Sequence, residues 1–165
     1  MKRMIVLLVG VVALVSLVMT VQLQSGDAPL AANANTVAAP PRVPRPAPEP
    51  RFTRTMFAQS GLSESTRLLD ECKGPVAVWL GEKRPTLVAE HDYCGGSAWM
   101  SKLKVGEAVK LDGKGVDAGI FVVTSLTYET RHEVTVSDLP EADVVLQTCL
   151  TQTRLVLVGM ERFVA

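Results

Sequence analysis

The sequence predicts a mainly β fold, a barrel or sandwich with short helical turns, carried on an N-terminal transmembrane helix. Three observations predict it. Short apolar, β-branched runs recur between residues 75 and 160, separated by segments rich in Gly, Pro, Asp and Ser. Little of that region reads as helix, which favours an all-β architecture. An uncharged apolar run from Met4 to Val21 stands at the N-terminus.

That run follows Lys2 and Arg3, and no further basic residue occurs before Arg42. As a helix rising about 1.5 Å per residue it crosses a hydrocarbon core of roughly 30 Å. The positive charge ahead of it holds the N-terminus in the cytoplasm and places the rest outside the cell membrane, as a single-pass protein. A cleaved signal peptide is the alternative, with Ala32-Asn33-Ala34 as a cleavage site well beyond the run. Residues 22–50 read as a tether. Small residues give way to Pro40-Pro41-Arg42-Val43-Pro44-Arg45-Pro46-Ala47-Pro48-Glu49-Pro50, a spacing that forbids helix and ladder and favours extended polyproline II. Residues 51–74 form a lead-in, and residues 75–165 the β domain. Anchor and tether aside, about 115 residues remain, enough for one domain.

Within residues 51–74, only 63–69 show a pattern, one or two helical turns. Residues 75–80 (Pro-Val-Ala-Val-Trp-Leu) are a strand, 81–85 a turn, and 86–89 a short buried strand ending at Glu90 and His91. A glycine-containing loop follows over 92–97, then a helical turn over 99–103. Residues 108–111 are a strand, and 112–115 reverse the chain. Residues 119–126 are a β-branched strand, and 133–136 a short one stopped by Ser137-Asp138-Leu139-Pro140. Residues 144–149 and 154–160 are the last two.

Formal net charge is zero, and no basic block or interleaving of basic and aromatic residues occurs, which excludes nucleic acid as a partner. Three cysteines in an exported chain fit one disulfide and one free thiol. Sequence alone does not fix the pairing; Cys72–Cys94 is adopted because Cys149 carries the candidate chemistry.

That chemistry rests on Cys149, Arg154 and His91. Four residues, Leu150 to Thr153, separate Cys149 from Arg154. In a four-residue hairpin the flanking residues oppose one another, with Cβ atoms roughly 5 Å apart. A guanidinium beside a thiol lowers the thiol pKa and stabilises an oxyanion. His91 ends a buried strand and is the candidate proton donor to a leaving amine. His132, among charged residues in a turn, is the weaker candidate. A buried cysteine beside a surface arginine is the structural alternative. A metal set of His91, Cys94 and Cys149 lacks metal-ligand spacing, and no cofactor is expected.

Val145-Leu146-Gln147-Thr148-Cys149 resembles the sortase signature Thr-Leu-x-Thr-Cys. Arg154-Leu155-Val156-Leu157-Val158 resembles the arginine-led strand that follows it. His91, then residues 99–109 with Gly106-Glu107, keep the family order of histidine, helical turn and Gly-Glu turn. The resemblance covers residues 75–164. It implies a closed sortase-like β-barrel and a cysteine transpeptidase. Cys149 would be the nucleophile, His91 the acid and base, and Arg154 the oxyanion and substrate clamp. Its partners would be a protein with a C-terminal sorting motif, of the Leu-Pro-x-Thr-Gly kind, and an acceptor amine from a cell-wall precursor or a pilin lysine. The chain departs from the family at Val145, in its short 149–154 loop, and at Glu90, whose carboxylate would favour an imidazolium on His91 or point to solvent. A sortase-fold surface module without turnover, and a disulfide-stapled structural domain, are the readings from other classes.

Overall fold

The structure, a computed structural model, describes residues 44–165. The expected anchor (4–21) and most of the expected tether lie outside the described residues. Among the described residues no helix is long and apolar enough to cross a membrane. Residues 44–49 carry no regular structure, and the first strand opens at Pro50, a strand-initial edge position that tolerates a missing N–H.

The strands are β1 (Pro50–Met56), β2 (Ala58–Gly61), β3 (Val76–Trp79), β4 (Thr86–Ala89), β5 (Ala108–Gly113), β6 (Gly119–Thr130), β7 (Val144–Cys149) and β8 (Arg154–Arg162). Helix α1 (Leu62–Leu69) follows β2, and α2 (Gly96–Trp99) precedes β5. All eight strands form one sheet in the order β1-β5-β6-β8-β7-β4-β3-β2. The two margins, β1 and β2, are separated in the chain by Phe57 alone. The sheet therefore curls until its margins meet. At the junction Phe57 N–H donates to the Pro75 carbonyl (2.9 Å), and Lys114 N–H donates to the Met56 carbonyl (3.3 Å). The fold is thus a curled half-barrel whose margins are joined by chain continuity, where a fully laddered barrel was expected.

The inner face gathers Met56, Val88, Val109, Leu111, Val123, Leu146, Val156, Val158 and Met160 around Trp99 and Met100, which enter from α2 and the 3-10 turn Met100–Lys102. The outer face of β3, β4, β7 and β8 carries Val76, Val78, Leu87, Val145, Leu155 and Leu157. It is covered by Leu68 and Leu69 of α1 and by Val134 and Leu139 of the β6–β7 segment. Both faces of β7 and β8 are therefore buried, which is why these strands read as nearly unbroken apolar runs.

The lead-in 51–74 holds most of β1, then β2 and α1, the last over the helical turns expected at 63–69. One expectation is corrected. The strand expected over 133–136 is absent; Val136–Asp138 is a 3-10 turn instead. Thr135 and Asp138 form a capping box, with Thr135 N–H donating to Asp138 Oδ2 (2.7 Å), and this local bonding outcompetes a ladder.

Cys72, just past α1, is bonded to Cys94, in the loop after β4, with Cα atoms 5.0 Å apart. Cys149 is free. The bridge spans a sequence separation of 22, and closing a loop of that size in the unfolded chain stabilises the fold by roughly 3 kcal/mol. Replacing both Cys72 and Cys94 by Ser is expected to lower the urea-unfolding free energy by about that amount. Cys149→Ser is expected to change it by about 0.5 kcal/mol or less. Coincident unfolding curves for wild type and the double variant would show that the bridge adds no stability.

Candidate active site

β4 and β7 are distant in sequence yet pair in parallel, from Thr86 beside Val144 to Ala89 beside Gln147. The ladder continues one step, with Glu90 N–H donating to the Gln147 carbonyl (3.2 Å). Extending the register once more brings His91 beside Cys149. Neighbouring strands lie about 4.8 Å apart, and partners in register share a face. His91 and Cys149 accordingly line one cavity of about 100 Å³, together with Arg131, Gln147 and, from α1, Leu69.

Arg154 does not join them. The expected opposition of Cys149 and Arg154 is corrected by the β7–β8 register, in which Cys149 lies opposite Leu155. The turn is responsible. Thr151 Oγ1 accepts the N–H groups of Thr153 (3.3 Å) and Arg154 (3.1 Å), and Leu150 N–H donates to the Arg154 carbonyl (2.8 Å). This tightened loop shifts the pairing by one residue, and a one-residue shift sends a side chain to the other face. Arg154 is exposed on that face, beside Thr130 of β6.

The guanidinium at the cavity belongs to Arg131, which follows β6. The backbone N–H of Arg131 donates to the Thr153 carbonyl (2.8 Å), tying the residue to the β7–β8 turn. Sequence reasoning missed it; the one signal is its place in the charged Arg131-His132-Glu133 turn. His132 is exposed and does not line the cavity. A second cavity of about 440 Å³ shares Arg131 and Gln147 with the first and is walled by Leu62, Val134, Val136, Leu139 and Leu155. The walls of this apolar groove come from the start of α1, the β6–β7 segment and Leu155 of β8, not from the short 149–154 loop.

Burial pushes the Cys149 thiol above its ordinary range; Arg131 opposes the rise and Asp92 adds to it. The net direction is opposite to the lowered thiol expected beside an arginine. The protonated thiol is therefore the resting form near neutral pH, and a base is needed to expose the nucleophile. His91 Nε2 lies 3.0 Å from Asp70 Oδ1. Tyr93 stacks on the imidazole with centroids 4.7 Å apart and donates its hydroxyl to the same Asp70 oxygen (3.3 Å).

Glu90 neither pairs with His91 nor points to solvent. It is buried, and Trp99 Nε1–H donates to its Oε2 (2.8 Å). Gly96 N–H donates to the His91 carbonyl (2.9 Å), and a Cβ at Gly96 would lie 2.5 Å from the Glu90 carbonyl oxygen and 2.6 Å from Thr148 Oγ1. Only glycine allows α2 to close so tightly over this end of β4. Cys94 is committed to Cys72, which removes it from the metal set of His91, Cys94 and Cys149. Among the described residues no cluster of three His, Cys, Asp or Glu side chains is placed to hold a metal ion.

No protein-family model and no curated protein matches the chain. Among solved structures it is similar to sortase C from Clostridium perfringens SM101, with 19% sequence identity and a TM-score of 0.45 over 67% of this chain. The match spans 62% of that chain's length.

Burial raises the Glu90 carboxyl above its usual range, against the opposing influence of the Trp99 hydrogen bond and of Arg54. A raised carboxyl binds its proton more tightly in the folded state. Its contribution to stability is therefore full in acid and is lost as pH rises from the ordinary carboxylate range through the raised value. Glu90→Gln keeps an acceptor for Trp99 and removes the titration. It is expected to be more stable than wild type at neutral pH, with the difference vanishing as pH falls to about 4. Urea midpoints across this range check it; parallel pH profiles for the two proteins would contradict it.

Proposed function

We propose that this chain is a membrane-anchored, sortase-like cysteine transpeptidase. The observation that carries the reading is the convergence of Cys149, His91 and Arg131 on one cavity that adjoins an apolar groove. The sequence resemblance supplies the reaction class.

In this reading the peptide of a C-terminal sorting motif lies in the groove, with its scissile carbonyl at the small cavity. His91 takes the proton from the Cys149 thiol, which restores the nucleophile that burial suppresses. The sulfur attacks the carbonyl carbon, a C–S bond forms, and the oxygen takes the negative charge beside the Arg131 guanidinium. The tetrahedral species collapses, the C–N bond breaks, and the His91 imidazolium gives its proton to the departing amine. A thioester on Cys149 remains. An acceptor amine, from a cell-wall precursor or a pilin lysine, attacks it and gives up a proton to His91. A new C–N bond replaces the C–S bond, and the sulfur leaves to be reprotonated. Arg131 takes the clamp role that the resemblance assigns to Arg154. The apolar run 4–21 is the anchor, with the domain on the outer side of the cell membrane.

The raised thiol favours a second reading, a sortase-fold surface module without turnover. Thiol chemistry separates the two. The full-length chain is incubated with a thiol-directed analogue of a sorting peptide and analysed by mass spectrometry. A single adduct on Cys149 is expected, forming faster as pH rises toward the thiol pKa. His91→Ala is expected to slow it by about 100-fold or more, and Arg131→Ala by about 100-fold. Arg154→Ala should leave the rate within about twofold, the size of a surface effect. Labelling indifferent to His91 and Arg131 would leave only the module. Slowing by Arg154→Ala alone would return the clamp to Arg154.

A further inference from the structure

We propose that Asp70 is the positioning residue of His91, fixing which ring nitrogen handles the proton; the inference deepens the transpeptidase reading and rests on it. Asp70 stands at the C-terminal cap of α1, in a segment where the sequence shows no chemistry. Its Oδ1 meets His91 Nε2 at 3.0 Å and also accepts the Tyr93 hydroxyl at 3.3 Å. The Tyr93 ring lies over the imidazole with 17° between the planes. One carboxylate therefore grips both members of a stacked pair, and the imidazole is fixed in tilt as well as in rotation.

The covalent frame enforces this contact. Cys72, two residues beyond Asp70, is bonded to Cys94, three beyond His91. Cys72 itself sits at φ +49°, in the left-handed region that a non-glycine residue adopts at a cost. The Cys94 amide also donates to the His91 carbonyl (3.2 Å). The α1 tail and the His91 loop are thus pinned together immediately beside the Asp70–His91 hydrogen bond.

A carboxylate only accepts, so Nε2 is the protonated nitrogen of a neutral His91 ring held this way. Nδ1 is then the atom that takes the proton from the Cys149 thiol and returns one to the departing amine. Asp70 touches no reacting atom; it acts through the tautomer and orientation of the ring, as the outer member of an acid–base chain does.

The test uses the full-length chain with 15N-labelled histidine, at a pH well above the reference imidazole value of about 6.5. Long-range 1H–15N correlations report which nitrogen of His91 bears hydrogen. Wild type and Asp70→Glu are expected to show the Nε2–H form, and Asp70→Ala a mixture of the two tautomers. In the same proteins the rate of Cys149 labelling by the sorting-peptide analogue is expected to fall about tenfold in Asp70→Ala and to recover to within about threefold of wild type in Asp70→Glu. A His91 tautomer unchanged by Asp70→Ala overturns the proposal, whatever the labelling does. A tautomer that follows Asp70 in a protein whose Cys149 never labels selectively upholds the positioning role and removes the transpeptidase.

Discussion

The parallel pairing of β4 with β7 is the constraint on which the candidate site depends. Each strand ends at the same rim, so the residues that follow them are brought side by side although 58 positions apart. Parallel ladders demand burial on both faces, and here the inner core and the α1 layer supply it. The site is therefore a product of the sheet's central order. The backbone bond from Glu90 to Gln147 holds the main chain in register up to this rim.

Around this fixed pair the remaining parts come from the periphery. The cap of α1 supplies Asp70, the disulfide loop supplies Tyr93, and the segment leaving β6 supplies Arg131. Each reaches the rim by a different tie: a side-chain hydrogen bond, a covalent bridge, and a backbone hydrogen bond to the β7–β8 turn. Glu90, the carboxylate nearest to His91 in sequence, is turned inward to Trp99 and works for the fold. Burial thus divides the two acids by task, keeping Glu90 in the core and leaving Asp70 at the surface to hold the histidine.

Much of the central sheet was legible. β3, β4, β7 and β8 are short apolar runs between clear turns, and their positions agree with the expectation within a residue or two. The Cys72–Cys94 pairing also agrees. Three features were hidden for physical reasons. β1 and β2 are polar edge strands, half exposed, so no apolar alternation marks them. The β7–β8 register was expected from a four-residue turn. With both faces of both strands largely buried, the burial pattern offers no check on which side chains share a face, and the hydroxyl of Thr151 decides by shortening the turn. Asp70 and Arg131 were invisible because their roles come from tertiary placement; nothing in their local spacing distinguishes them from other surface charges.

The junction at Phe57 has a kinetic consequence. β1 pairs with β5, whose residues lie some 57 positions downstream, as Arg54 beside Leu111 shows. Contacts that distant close slowly, because the intervening chain must first be gathered. The stretch that leaves the ribosome before the rest of the sheet is thus among the last to find its partner. Until it does, the β5 edge stays open, and the arrival of β1 covers a row of unpaired backbone on which chains otherwise aggregate.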